Sequence, residues 1–169
     1  MLKYISPLTI IMILSVSFSN NTFAQTTGVG AGLIVGAPTG ITAKFWTSKV
    51  NAIDFAIGWS NNGTWTHLGN GYAYYYTQSL LHLQVDYVWH SFHVIKSSQR
   101  LPLYYGLGIH FDSGNTVPTA FGLRAVGGID WMPYAVPIDV FVEVAPVFYL
   151  SPTAGLGLDA GLGARYFFQ

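Results

Sequence analysis

Leu156-Gly157-Leu158-Asp159-Ala160-Gly161-Leu162-Gly163-Ala164-Arg165-Tyr166 is apolar at every even position and glycine or charged at every odd one. A period of two is the period of a β-strand, whose successive side chains point to opposite faces. The same alternation runs through Ala52 to Trp59, where Asp54 sits between Ile53 and Phe55, and through Leu81 to Tyr87, where His82, Gln84 and Asp86 share one parity. It runs again through Ile138 to Val144, with Asp139 and Glu143 on one side. Each strand therefore has a greasy face and a sparse face of charges and glycines. The greasy face needs an apolar partner, either the protein's own core or a lipid bilayer.

Turn chemistry divides the chain into eight predicted strands: Val29–Ala37, Ile41–Trp46, Ala52–Ser60, Tyr76–His90, Leu101–Phe111, Ala120–Trp131, Ile138–Tyr149 and Leu156–Phe168. The longest connection is then the segment from Asn61 to Tyr75. An even number of antiparallel strands joined by short hairpins is the pattern of an all-β, up-and-down barrel. At 169 residues there is room for one such domain.

Composition bears on which face meets solvent. Charged residues make up 8% of the chain, against roughly 25% in soluble domains. The sparse face, with Lys44, Asp54, Arg124, Asp159 and Arg165 among many glycines, lacks the lysine and glutamate coat of a soluble sheet. It suits the inside of an eight-stranded barrel, which is just wide enough for side chains to fill. The Leu, Val and Ile rows then face lipid, with Trp46, Trp59, Tyr72 to Tyr76, Tyr87, Trp89, Tyr105, Trp131, Tyr149 and Tyr166 as aromatic girdles near strand ends. A transmembrane β-barrel is the expectation.

The amino end is read separately. Lys3, the apolar run from Ile5 to Phe18 and the small residues around Thr22-Phe23-Ala24 fit a secretory signal over residues 1–24, cleaved to leave Gln25 and a barrel over 25–169. The apolar run is short for a bilayer-spanning helix of about 20 residues. Without Lys3 the chain has six basic and seven acidic residues, which gives no electrostatic case for nucleic acid. Cysteine is absent, so no disulfide or cysteine-ligated metal is available.

The carboxyl end alternates from Leu158 to Phe168 and resembles the terminal-strand signal that bacterial outer-membrane barrels present to their insertion machinery, although Gln169 follows the aromatic here. The blocks Gly36 to Trp46 (GAPTGITAKFW), Asn51 to Trp59 (NAIDFAIGW), Leu83 to His90 (LQVDYVWH), Arg100 to Gly108 (RLPLYYGLG), Pro137 to Pro146 (PIDVFVEVAP) and Gly161 to Phe168 (GLGARYFF) together resemble a family of small uncharacterised bacterial outer-membrane barrels related in fold to the OmpA transmembrane domain. That resemblance implies location in the outer membrane, among its lipids and lipopolysaccharide. It implies no reaction.

For function, the parity of the strands assigns Lys44, Asp54, Asp86, Arg124, Asp130, Asp139, Glu143, Asp159 and Arg165 to a lumen charge network, which must be paired or hydrated. Trp65, His67, Tyr72 and Tyr74 make the Asn61 to Tyr75 loop aromatic and suit it to an extracellular ligand. The expected role is a non-enzymatic structural or surface protein without a cofactor. Eight strands leave no wide channel, which leaves a narrow pore as an alternative. A lipid-modifying enzyme is the other, with lumen-facing His82 or His110, Glu143 or Asp86 as orienters and Ser79 or Ser113 as nucleophile, but no local motif joins them. The spacing of His90 and His93 lacks a third metal ligand. The Gly28 to Gly32 run lacks the lysine and following helix of a phosphate loop.

Overall fold

A computed structural model of the protein describes residues 26–67, 73–114 and 118–168. The expected signal over residues 1–24 lies outside the described residues, as do Tyr72 and Gln169. The fold is all-β. Its strands are β1 (Val29–Gly36), β2 (Thr39–Trp46), β3 (Asn51–His67), β4 (Ala73–Ser91), β5 (Leu103–Ser113), β6 (Ala120–Trp131), β7 (Ile138–Ser151) and β8 (Gly155–Phe168). Each pairs antiparallel with the next, and β8 returns to β1 through Val29↔Phe168 to Gly36↔Gly161. The sheet is thus a closed, up-and-down ring, from which β3 and β4 extend beyond their outer neighbours.

Alternation places the side chains as the period of two demands. In β8 the odd-numbered residues from Asp159 to Phe167 are buried and the even-numbered ones exposed. Every charged residue of the eight strands lies on the inner face: Lys44, Asp54, Asp86, Asp112, Arg124, Asp130, Asp139, Glu143, Asp159 and Arg165 are all buried. The outer face carries Leu33, Val35, Ile41, Leu107, Leu123, Val144, Leu158 and Leu162, each at least half exposed. Aromatic side chains gather at the rim that holds the chain ends, where Tyr87 meets Trp89 at 4.9 Å and Trp89 stacks on Tyr105 at 6.0 Å. Among the described residues no helix is long and apolar enough to cross a membrane.

Three sequence expectations need correction. The segment from Asn61 to Tyr75 is not a long loop, because β3 and β4 continue as a paired ribbon through Trp65↔Tyr75, Thr66↔Tyr74 and His67↔Ala73. Threonine and aromatic residues favour extended backbone, and the two strands of the ribbon pair with each other along its length. Trp46 does not face outward; it is 5% exposed and its ring packs on His90 at 4.4 Å, while Tyr149 is half-buried rather than outward. Asp112 is not in a connection but in β5, two positions beyond His110 on the inner face.

Candidate functional site: the charged interior

The register brings the inner charges together in two groups along the ring axis. The first lies toward the end with the chain termini. Lys44 of β2 stands directly opposite Asp54 of β3, and Asp139 of β7 opposite Arg165 of β8. Lys44 Nζ donates to Asp130 Oδ2 at 2.8 Å and lies 3.5 Å from Asp54 and 3.8 Å from Asp139. Arg165 donates from Nε to Asp139 Oδ1 and from Nη1 to Asp54 Oδ2, each at 3.1 Å. The guanidinium also lies 3.9 Å from the centre of the Phe141 ring. A planar fork that grips two carboxylates from different strands holds them in register, as a point charge does not. His90, Trp46 and Tyr104 close this end, with Lys44 Nζ 5.4 Å and 5.0 Å from the Trp46 and Tyr104 rings.

The second group centres on Arg124 of β6. Its Nε lies 3.0 Å from Asp86, Nη2 donates to Glu143 at 3.0 Å, and Nη1 donates to Asp159 at 3.2 Å and to Gln84 Oε1. Glycines open the space for this. Asp86, Gly108 and Arg124 lie in one row across β4, β5 and β6, so the ion pair reaches over β5 at a residue without a side chain. A Cβ on Gly108 would overlap Asp86 Oδ1 and the Val85 carbonyl oxygen. Tyr104, Gly128 and Glu143 repeat the device, and the Tyr104 hydroxyl donates to Glu143 across Gly128 at 2.9 Å.

Above Arg124, toward the end opposite the termini, lie two histidines. His110 places Nδ1 3.1 Å from Asp159 Oδ2 and Nε2 2.8 Å from Asp112 Oδ2. His82 places Nε2 3.1 Å from Gln84 Oε1 and Nδ1 3.1 Å from Asp112 Oδ1. The two imidazoles meet edge to face at 4.4 Å. Ser60, Asp112, Tyr149 and Asp159 line a cavity of about 250 Å³ beside them.

All nine residues expected in the lumen network lie inside, in these two groups. Asp112, Gln84, His82, His90, His110 and Tyr104 join them. Of the residues named for an enzyme, His82 and His110 are inside, Ser79 is exposed on the outer face, Ser113 stands opposite outward-facing Leu81, and Asp86 and Glu143 are engaged by Arg124. His93 is exposed in the turn after β4, apart from buried His90. Of the residues expected in a binding loop, Trp65, His67 and Tyr74 lie in the β3–β4 ribbon, and Tyr72 is outside the described residues. Comparison of the chain with protein-family models, with curated proteins and with solved structures finds no match.

Proposed function

We propose that the protein is an integral outer-membrane β-barrel of the small OmpA-related kind, exported by a cleaved signal over residues 1–24, with a structural, non-enzymatic role in the envelope. One observation carries this reading: the charged residues of the strands are all inside the ring, while its outside is a continuous apolar band. In water such a band would be an aggregation surface far larger than the patches of soluble monomers. In lipid it is the surface that solvates the fold, and the pairing of β8 with β1 closes the edges that an open sheet would leave bare. The aromatic rim at Tyr87, Trp89, Tyr105, Trp131 and Tyr166 fits the bilayer interface. The filled interior argues for a plug rather than a conduit. The β3–β4 ribbon, at the end opposite the termini, would stand above the bilayer as a surface for an extracellular ligand.

Carbonate extraction of membranes from cells expressing the full chain tests the placement. The protein is expected in the pellet, with a gel mobility that changes on boiling. Release into the supernatant, with one mobility boiled or unboiled, would overturn it. Incubation with lipopolysaccharide followed by lipid A mass measurement tests the role, and a mass change would replace a structural reading with an enzymatic one.

A further inference from the structure

We propose that His82, His110 and Asp112 form a binding site for one divalent transition-metal ion of the zinc class. Gln84 sets the argument. Its amide nitrogen donates to Glu143 at 3.2 Å, so its oxygen faces Arg124 and His82 and accepts from both. His82 Nε2 therefore carries the ring proton, and in the neutral ring Nδ1 is a bare lone pair. That lone pair faces Asp112 Oδ1 at 3.1 Å, and neither atom completes a hydrogen bond. His110 is flanked by carboxylate oxygen on both sides. Its Nδ1 donates to Asp159 and its Nε2 to Asp112 Oδ2, so a metal bound by Nε2 takes the place of that proton. Three ligand atoms, one from each residue, thus converge, all on buried side chains and all within 4.8 Å of one another.

Two imidazoles and a carboxylate that meet in this way are a ligand set for one divalent cation. Zinc bonds of about 2.0–2.2 Å to nitrogen and oxygen place neighbouring ligands a little over 3 Å apart; here the two imidazole nitrogens approach the Asp112 carboxylate at 3.1 Å and 2.8 Å. Two imidazoles with one carboxylate favour a borderline transition metal over calcium or magnesium, which prefer oxygen. The outer contacts match what metal-bound histidines require: Gln84 and Asp159 each take the proton of the nitrogen that faces away. Local charge agrees, since Arg124 is outnumbered by Asp86, Asp112, Glu143 and Asp159 in this part of the interior. The cavity lined by Asp112 and Asp159 supplies an approach from the ring end. None of this depends on what surrounds the ring.

The test is titration of the refolded full chain, stripped of metal, with ZnCl₂ by calorimetry, together with metal analysis after dialysis. One Zn²⁺ per chain is expected, unchanged in His93→Gln, whose side chain is remote and exposed. His82→Gln and Asp112→Asn should each weaken binding at least about 100-fold, and Asp159→Asn by about 10–100-fold. Should a variant fail to refold, the wild-type Co²⁺ spectrum decides. Intense visible bands of a low-coordinate nitrogen and oxygen site, displaced by Zn²⁺, support the site. The weak spectrum of the hydrated ion overturns it. No stoichiometric uptake, as when both imidazoles hold protons instead, also overturns it, as does binding by His82→Gln and Asp112→Asn equal to wild type.

Discussion

Single residues hold this interior together because each buried cation of the strands has more than one carboxylate partner. Arg124 contacts Asp86, Glu143 and Asp159, drawn from three different strands. Replacing it with leucine strands three carboxylates without their cation, and Arg124→Leu is expected to cost about 3–5 kcal/mol, read as a lowered urea midpoint of the refolded protein. Gly108 matters for a different reason. Gly108→Ala adds one methyl group against Asp86 and the β4 backbone, so a loss of about 1–3 kcal/mol is expected in the same assay. Gly127, whose Cβ would meet nothing within 4 Å, is the control, and Gly127→Ala should leave the midpoint nearly unchanged. Parity put the charges on one face of every strand, and the shortage of charge in the composition turned that face inward. It did not reveal which carboxylate meets which cation, because that depends on the stagger between strands distant in sequence, such as Asp54 with Arg165. Trp46 shows where habit misleads: it is in phase with Thr42 and Lys44 and packs inward, although an aromatic at a strand end suggests a girdle.

At the level of the strand, the interior and exterior faces follow different rules. The outer face of β7 presents Val140, Val142, Val144, Pro146 and Phe148. In lipid, Val144→Arg should destabilise by about 2–4 kcal/mol, whereas on a water-exposed strand the same change is nearly neutral. Refolding into phospholipid vesicles with denaturant titration separates the two outcomes. Strand number and most boundaries were legible because turn residues interrupt the alternation; β6 runs over Ala120–Trp131 as expected. The extension of β3 and β4 was not, since Asn61-Asn62-Gly63 carries turn chemistry that pairing with β4 overrides. The same shortfall hid Asp112: reading β5 as ending at Phe111 removed it from the face it shares with His110. The metal-type cluster was therefore present in the sequence as isolated residues, and only the register across β4 and β5 joins them, with His82 directly opposite Asp112.

For the molecule as a whole, tryptophans report what lies outside the ring. Trp59 is 64% exposed on the outer face and Trp46 is buried inside. In vesicles of brominated lipid, fluorescence from a variant that keeps Trp59 alone should be strongly quenched, and from one that keeps Trp46 alone scarcely quenched. Equal quenching would contradict the proposed lipid contact. Charge is also divided along the ring axis. Lys49, Lys96 and Arg100 sit in the connections at the end with the chain termini, whereas Arg124 with its surplus of carboxylates lies toward the other end. The protein is consequently an electric dipole aligned with its own axis. Its negative pole would raise the local concentration of small cations at the mouth opposite the termini and repel anions from it, with a reach set by ionic strength.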